Sequence, residues 1–184
     1  MPSYKFRILL DTDGNEEIFR DIVISSSENF EIFYRAIITS FGFSGQELAS
    51  FYVSNEEWDK GHEIALMDME INNNLDAPSI MKETILSDLV NNEDQKFVLV
   101  YDFLRMWCFM IELVDTLPTD YDDPQLVLSV GDAPDEMSKE IDFNADFGMD
   151  ADLELGNDLD DIFSDFDDED EDFEGFENID DMDF

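Results

Sequence analysis

KFVLVYDFLRMWCFMIELV, residues 96–114, decides how this chain folds. In its first half Phe97, Leu99, Tyr101 and Phe103 occupy alternate positions, and in its second half Trp107, Phe109, Ile111 and Leu113 do the same. Alternate residues of an extended chain point to one side, so each half predicts a strand with an aromatic-rich face turned inward. The spacing predicts strands over 96–103 and 106–114, joined as a central hairpin.

Toward the N-terminus, Tyr4, Phe6 and Ile8 alternate with Lys5 and Arg7, which predicts a half-buried strand over 4–10. The turn residues Asp11 to Asn15 follow, then a second strand over 18–24, giving an antiparallel hairpin. Ser25-Ser26-Ser27-Glu28 predicts the opening of a helix by a capping box, with Glu28 and Glu31 at the positive end of its dipole. Phe30, Phe33, Tyr34, Ile37 and Phe41 then form one apolar stripe at helical spacing, and Gly42 predicts the stop. A third strand is expected over 48–54 and a short one over 64–67. Asn72 to Asn74 and Ala77-Pro78 read as loop. A short strand is expected over 84–86 and a single helical turn over 87–90. Beyond the central hairpin, 125–130 predicts a last strand before Gly131-Asp132-Ala133-Pro134. With one long amphipathic helix in that order of elements, the simplest packing lays it across one face of a sheet. The expected fold class is α+β, a β-grasp-like mixed sheet packed on one main helix, with the strand order left open.

This body, residues 1–138, is expected to end where the composition changes. From Glu140 to Phe184 there are 21 Asp or Glu and no Lys or Arg. The whole chain carries a net charge of −40, and residues 1–139 hold 28 acids against 9 bases. Residues 139–184 therefore predict a disordered acidic tail, kept open by its own repulsion. Seven phenylalanines punctuate it: Phe143, Phe147, Phe163, Phe166, Phe173, Phe176 and Phe184. Leu155, Leu159, Ile162, Phe163 and Phe166 share one face at helical spacing, Asn157 can cap, and Asp158, Asp160 and Asp161 suit the positive end of the dipole. Two expectations stand side by side. Residues 157–166 fold as a short helix in a partner's groove, or the tail is a solubilising bristle.

The charge also excludes partners. Nucleic-acid affinity rests on Lys and Arg displacing counterions from phosphates, so direct nucleic-acid binding is not expected, and anionic membranes are disfavoured for the same reason. A basic protein is the favoured partner. Asp150, Asp152 and Glu154 lack the glycine and the final glutamate of a calcium loop. His62 is the only histidine and Cys108 the only cysteine, so neither a His-rich zinc site, a Ser-His-Asp set nor an intrachain disulfide can be built. No metal and no cofactor is expected, and no catalytic set stands out. The lone thiol, the absence of a long apolar stretch and a charged, alternating start fit a cytoplasmic protein.

Tyr101, Asp102 and Trp107 are candidates to line a pocket at the hairpin end. Against that, Tyr101 and Trp107 sit at alternating positions typical of core, and Asp102 suits a turn-capping role at a strand end. Lys5, Arg7, Arg20 and Arg35, four of the nine bases, are either a local basic patch or scattered solvated charge.

Tyr101-Asp102-Phe103, Trp107 and Ile111-Glu112 resemble the signature of the plasmid pRiA4b ORF-3-like family, which has Tyr-Asp-Phe-Gly-Asp, then a Trp, a His and a hydrophobic-Glu ending. Tyr4 to Leu10, Arg20, Phe41-Gly42-Phe43, Leu48, Phe51, Trp58 to Met69 and Pro124 to Pro134 are similar as well. The likeness spans about residues 4–136. Here Leu104-Arg105 replaces the Gly-Asp and Phe109 the His, so any polar site built on that pair in relatives is lost. The resemblance implies a small α+β fold, sometimes labelled a passenger of mobile elements, and no established activity. The expected role is a non-enzymatic interaction module whose acidic-aromatic tail binds a basic protein. Two alternatives are a nucleic-acid mimic or shield of a DNA-binding protein, and an enzyme with its site at the Asp102 to Trp107 turn.

Overall fold

The computed structural model describes residues 1–68 and 77–141. The chain divides into two units, Met1–Asp146 and Phe147–Phe184, and all described residues lie in the first. The elements are β1 (Ser3–Leu10), β2 (Phe19–Ser25), α1 (Phe30–Ser40), β3 (Ala49–Ser54), β4 (Glu63–Ala65), β5 (Ser79–Ile80), α2 (Leu86–Leu89), β6 (Lys96–Tyr101), β7 (Trp107–Leu117) and β8 (Gln125–Val130).

The strands form one mixed sheet in the order β5-β4-β3-β6-β7-β1-β2-β8. Both expected hairpins form, β1 with β2 and β6 with β7, and β1 also pairs antiparallel with β7 at the centre. The pairing of β4 with β5 is parallel, and the other pairings are antiparallel. Phe6 and Ile8 from β1, Phe97, Leu99 and Tyr101 from β6, and Trp107, Phe109 and Ile111 from β7 turn to one face, and all are buried. There they meet Phe30, Phe33, Tyr34, Ile37 and Ile38 of α1. Phe33 stacks on Phe51 with centroids 5.6 Å apart, and Phe6 lies 4.7 Å from Phe33. Each such ring contributes about 1.5–3 kcal/mol on leaving water, so the aromatic face holds α1 to the sheet.

Several expected boundaries are corrected. The serine cluster does not cap α1. Asn29 does, its Oδ1 accepting from the Ile32 N–H at 3.0 Å. The serines instead close the sheet: β2 runs to Ser25, Ser26 N–H donates to the Pro2 carbonyl, and the Ser26 carbonyl accepts from Ser87. At the other end of α1, Gly42 takes φ +74° just past the C-cap Phe41, as its position predicts. The strand expected over 84–86 is a single bridge between Asn29 and Ile85, and the short strand of this region is β5, directly after the Ala77-Pro78 loop. β6 ends at Tyr101, before Phe103, because Asp102 leaves extended backbone for φ +60°.

Candidate functional site

The candidates at the β6–β7 end come together, and their polar groups are occupied. Asp102 is almost fully buried and organises the turn. Its Oδ1 accepts from the Leu104 and Arg105 N–H groups at 3.0 and 3.2 Å, its Oδ2 from the Arg105 guanidinium at 3.3 Å, and its own N–H donates to the Leu48 carbonyl at 2.9 Å. Asp and Asn tolerate the left-handed backbone this position requires. The side chain is spent on holding a turn, and among the described residues no histidine or second carboxylate bonds to it.

Tyr101 and Trp107 lie beside Phe43, at centroid distances of 5.7 and 5.1 Å. The Tyr101 hydroxyl donates to Glu136 Oε2 at 2.9 Å and accepts from the Gly45 N–H at 3.1 Å. Burial pushes its phenol above the ordinary range, and the bond to Glu136 adds to that. Trp107 Nε1 donates to the Glu136 carbonyl at 3.0 Å, and Ser44 N–H donates to Glu136 Oε1 at 2.7 Å. Lys139 finishes the closure, its Nζ donating to the Met106 carbonyl at 2.7 Å and lying 5.3 Å from the Trp107 ring centroid. The segment around Glu136 and Lys139 thus runs as a strap over the hairpin end. Nothing local in the chain marks Glu136, because its side-chain partners Tyr101 and Ser44 are 35 and 92 positions away.

The four early bases do not form a free patch. Arg7 makes a two-pronged pair with Asp21, Nε to Oδ1 at 2.8 Å and an Nη to Oδ2 at 2.9 Å, and Lys5 lies 3.7 Å from the same carboxylate. That hydrogen bond raises the Arg7 guanidinium's affinity for its proton. Arg35 pairs with Glu31 one helical turn away. Arg20 is buried, donates to the carbonyls of Phe19, Ser40, Val130 and Gly131, and covers the Phe41 ring. It ties the end of α1 to the end of β8, and desolvation lowers its pKa.

Other chemistry-bearing side chains are equally ordinary. His62 is exposed and bonds Ser79 at 2.7 Å. Cys108 is half-buried, and desolvation raises its thiol pKa, away from a reactive thiolate. Among the described residues no three His, Cys, Asp or Glu converge in a way that could hold a metal ion. An open polar depression of roughly 370 Å³ lies at the opposite end of β3 and β6, lined by Ser54, Asn55, Asp94, Gln95 and Lys96 among others. Gln95 in its floor is already committed to the carbonyls of Ser54 and Lys96. Leu155, Leu159, Ile162, Phe163 and Phe166 lie outside the described residues. No described helix is long and apolar enough to cross a membrane.

Comparison with solved structures finds a protein of unknown function from Methanosarcina mazei Go1, with a TM-score of 0.64, 20% sequence identity, and coverage of 76% of this chain and 75% of that one. That likeness shows a shared fold. A comparison with curated proteins finds no match. The family model described as plasmid pRiA4b ORF-3-like protein matches residues 2–171, which takes in the whole body and continues into the acidic segment, beyond the span of about 4–136 read from the motifs. The chain belongs to the plasmid pRiA4b ORF-3-like protein family.

Proposed function

We propose that this protein is a non-enzymatic interaction module whose acidic, phenylalanine-punctuated segment binds a basic protein. The observation that carries this reading is the composition of residues 140–184, where 21 acids stand with no base and Phe recurs throughout. Long-range attraction speeds encounter with a cationic surface, and the apolar side chains Leu155, Leu159, Ile162, Phe163 and Phe166 supply the short-range fit. What supports a binding role for the body as well is that its buried and half-buried polar side chains serve structure: Asp102 holds a turn, Glu136 a strap and Arg20 a strand end. The helix α1, following the first hairpin and packed on the sheet, supports describing that scaffold as β-grasp-like. The lone half-buried thiol suits a cytoplasmic setting.

A second reading is that the acidic segment mimics nucleic acid or shields a DNA-binding protein. The density of its charge favours this, and so does the family's plasmid-derived description. The two separate in one experiment. The full chain with Leu159, Ile162 and Phe163 all changed to Ser keeps its charge. Under groove docking it loses the partner. Under pure mimicry it keeps the partner, and DNA displaces it from that partner in competition.

A further inference from the structure

β8 offers a second contact surface, on the body rather than in the acidic segment. Among the described residues it is the last strand of the sheet and pairs only with β2. The backbone groups of an edge strand that do not bond its neighbour face outward, ready to pair with another chain. The opposite edge, β5, has two residues, whereas β8 has six. Leu126, Val127 and Leu128 are 51%, 52% and 41% exposed, three consecutive aliphatics that leave both faces of the strand bare. Edge strands are usually guarded by Lys, Pro or bulges. Here Pro124 precedes the strand and a register shift at Asp21/Ile22 leaves Val127 as the extra residue, but no charged side chain stands on β8 itself.

The flanks state what can approach. Residues 115–136 contain Asp115, Asp120, Asp122, Asp123, Asp132, Asp135 and Glu136, with no Lys or Arg. Asp122, Asp123 and Asp132 are exposed. The nearest base, Arg20 on β2, is buried and committed to carbonyls. A second copy pairing edge to edge would bring the same acids against these, and the chain's own acidic segment would be repelled likewise. We infer that β8 accepts an extended segment of a cationic protein by strand addition. Backbone bonds to β8 give the pairing, apolar side chains cover Leu126, Val127 and Leu128, and Lys or Arg at the segment's ends meet Asp122, Asp123 and Asp132. This shares the basic-partner chemistry proposed above but rests on different residues.

The test uses the full chain and a short synthetic peptide of alternating Val and Thr with Lys at both ends. Amide hydrogen exchange is followed residue by residue. The peptide is expected to slow β8 amides at least about tenfold. The same peptide N-methylated at alternate residues keeps its charge but cannot add a strand, and is expected to leave β8 unchanged. Leu126→Lys with Leu128→Lys, both at exposed positions, should weaken the unmodified peptide about tenfold. The Leu159, Ile162 and Phe163 to Ser variant should leave β8 protection intact, so a failed tail reading and a failed edge reading give different results. Three outcomes overturn the inference: equal binding of both peptides, β8 exchange unaffected by the unmodified peptide, or concentration-dependent β8 protection without peptide, which would make the occupant a second copy.

Discussion

Tyr34 and Tyr101 are both buried in the aromatic core, and their hydroxyls meet different surroundings. Tyr101 bonds Glu136 and Gly45, while the Tyr34 hydroxyl is buried without a hydrogen-bond partner among the described residues. Tyr101→Phe is therefore expected to cost about 1–3 kcal/mol, since it strands a carboxylate oxygen and an N–H, while Tyr34→Phe should change stability by less than about 0.5 kcal/mol or raise it. Urea unfolding of the two variants measures the contrast. The same burial sets a pH limit. Desolvation raises both phenols, so the folded chain holds these protons more tightly than the unfolded chain. Stability from this source is complete below the unfolded tyrosine value of about 10 and is lost as pH rises through it toward the folded values. The expected result is an unfolding midpoint that falls in alkali in step with tyrosinate absorbance, and a smaller fall in Tyr34→Phe. At this scale the sequence was informative where a residue's role is local. Asp102 at a strand end, followed by a turn, points to capping, and among the described residues its bonds beyond its own strand neighbour reach positions 104, 105 and 106. Arg20 and Glu136 were illegible because the partners that fix them in the fold, Val130 and Gly131 for one and Tyr101 and Ser44 for the other, arrive from distant segments.

Elements were legible where periodicity is long. Alternation located β1, β6 and β7, the position after a dense turn signal located β2, and the helical stripe located α1. The capping site was misplaced because three serines in a row satisfy a capping pattern as well as Asn29 does, and only the pairing of Ser26 with Pro2 and Ser87 removes them from the helix. β5 has no periodicity to read, since its two residues are a strand only by virtue of β4 beside them. Strand order is hidden for the same reason: β7 pairs with β1 across about a hundred residues, and nothing within either strand states that partner. β8 was found from its sequence, but its exposure was not, because an aliphatic run reads the same at a sheet's edge and at its centre. Its end depends on Gly131, which takes φ +77° and whose added Cβ would stand 2.7 Å from the Glu17 carbonyl oxygen and 3.0 Å from Ile18 Cγ1. Gly131→Ala is expected to destabilise the chain by about 1–3 kcal/mol. Amide exchange should show β8 and the start of β2 loosening more than β6 and β7. Uniform loosening would show that the glycine matters for the whole sheet rather than for this edge.

At the scale of the molecule, charge dominates. The body through residue 139 has 9 bases for 28 acids, and six of the nine are drawn into local work: Arg7 and Lys5 on Asp21, Arg35 on Glu31, Lys96 on Glu112, Arg105 on Asp102, Lys139 on the Met106 carbonyl. Residues 140–184 add 21 acids and no base, so the net charge of the chain is strongly negative in both parts of the sequence. The measurement that bears most directly on this account is capture of partners by the full chain and by a chain ending at Ile141, which keeps the strap through Lys139, at low and at moderate salt. The full chain is expected to retain basic proteins that the shortened chain releases, with retention weakening but persisting as salt rises because apolar side chains share the contact. The same set of proteins held equally by both chains at both salt concentrations would contradict it.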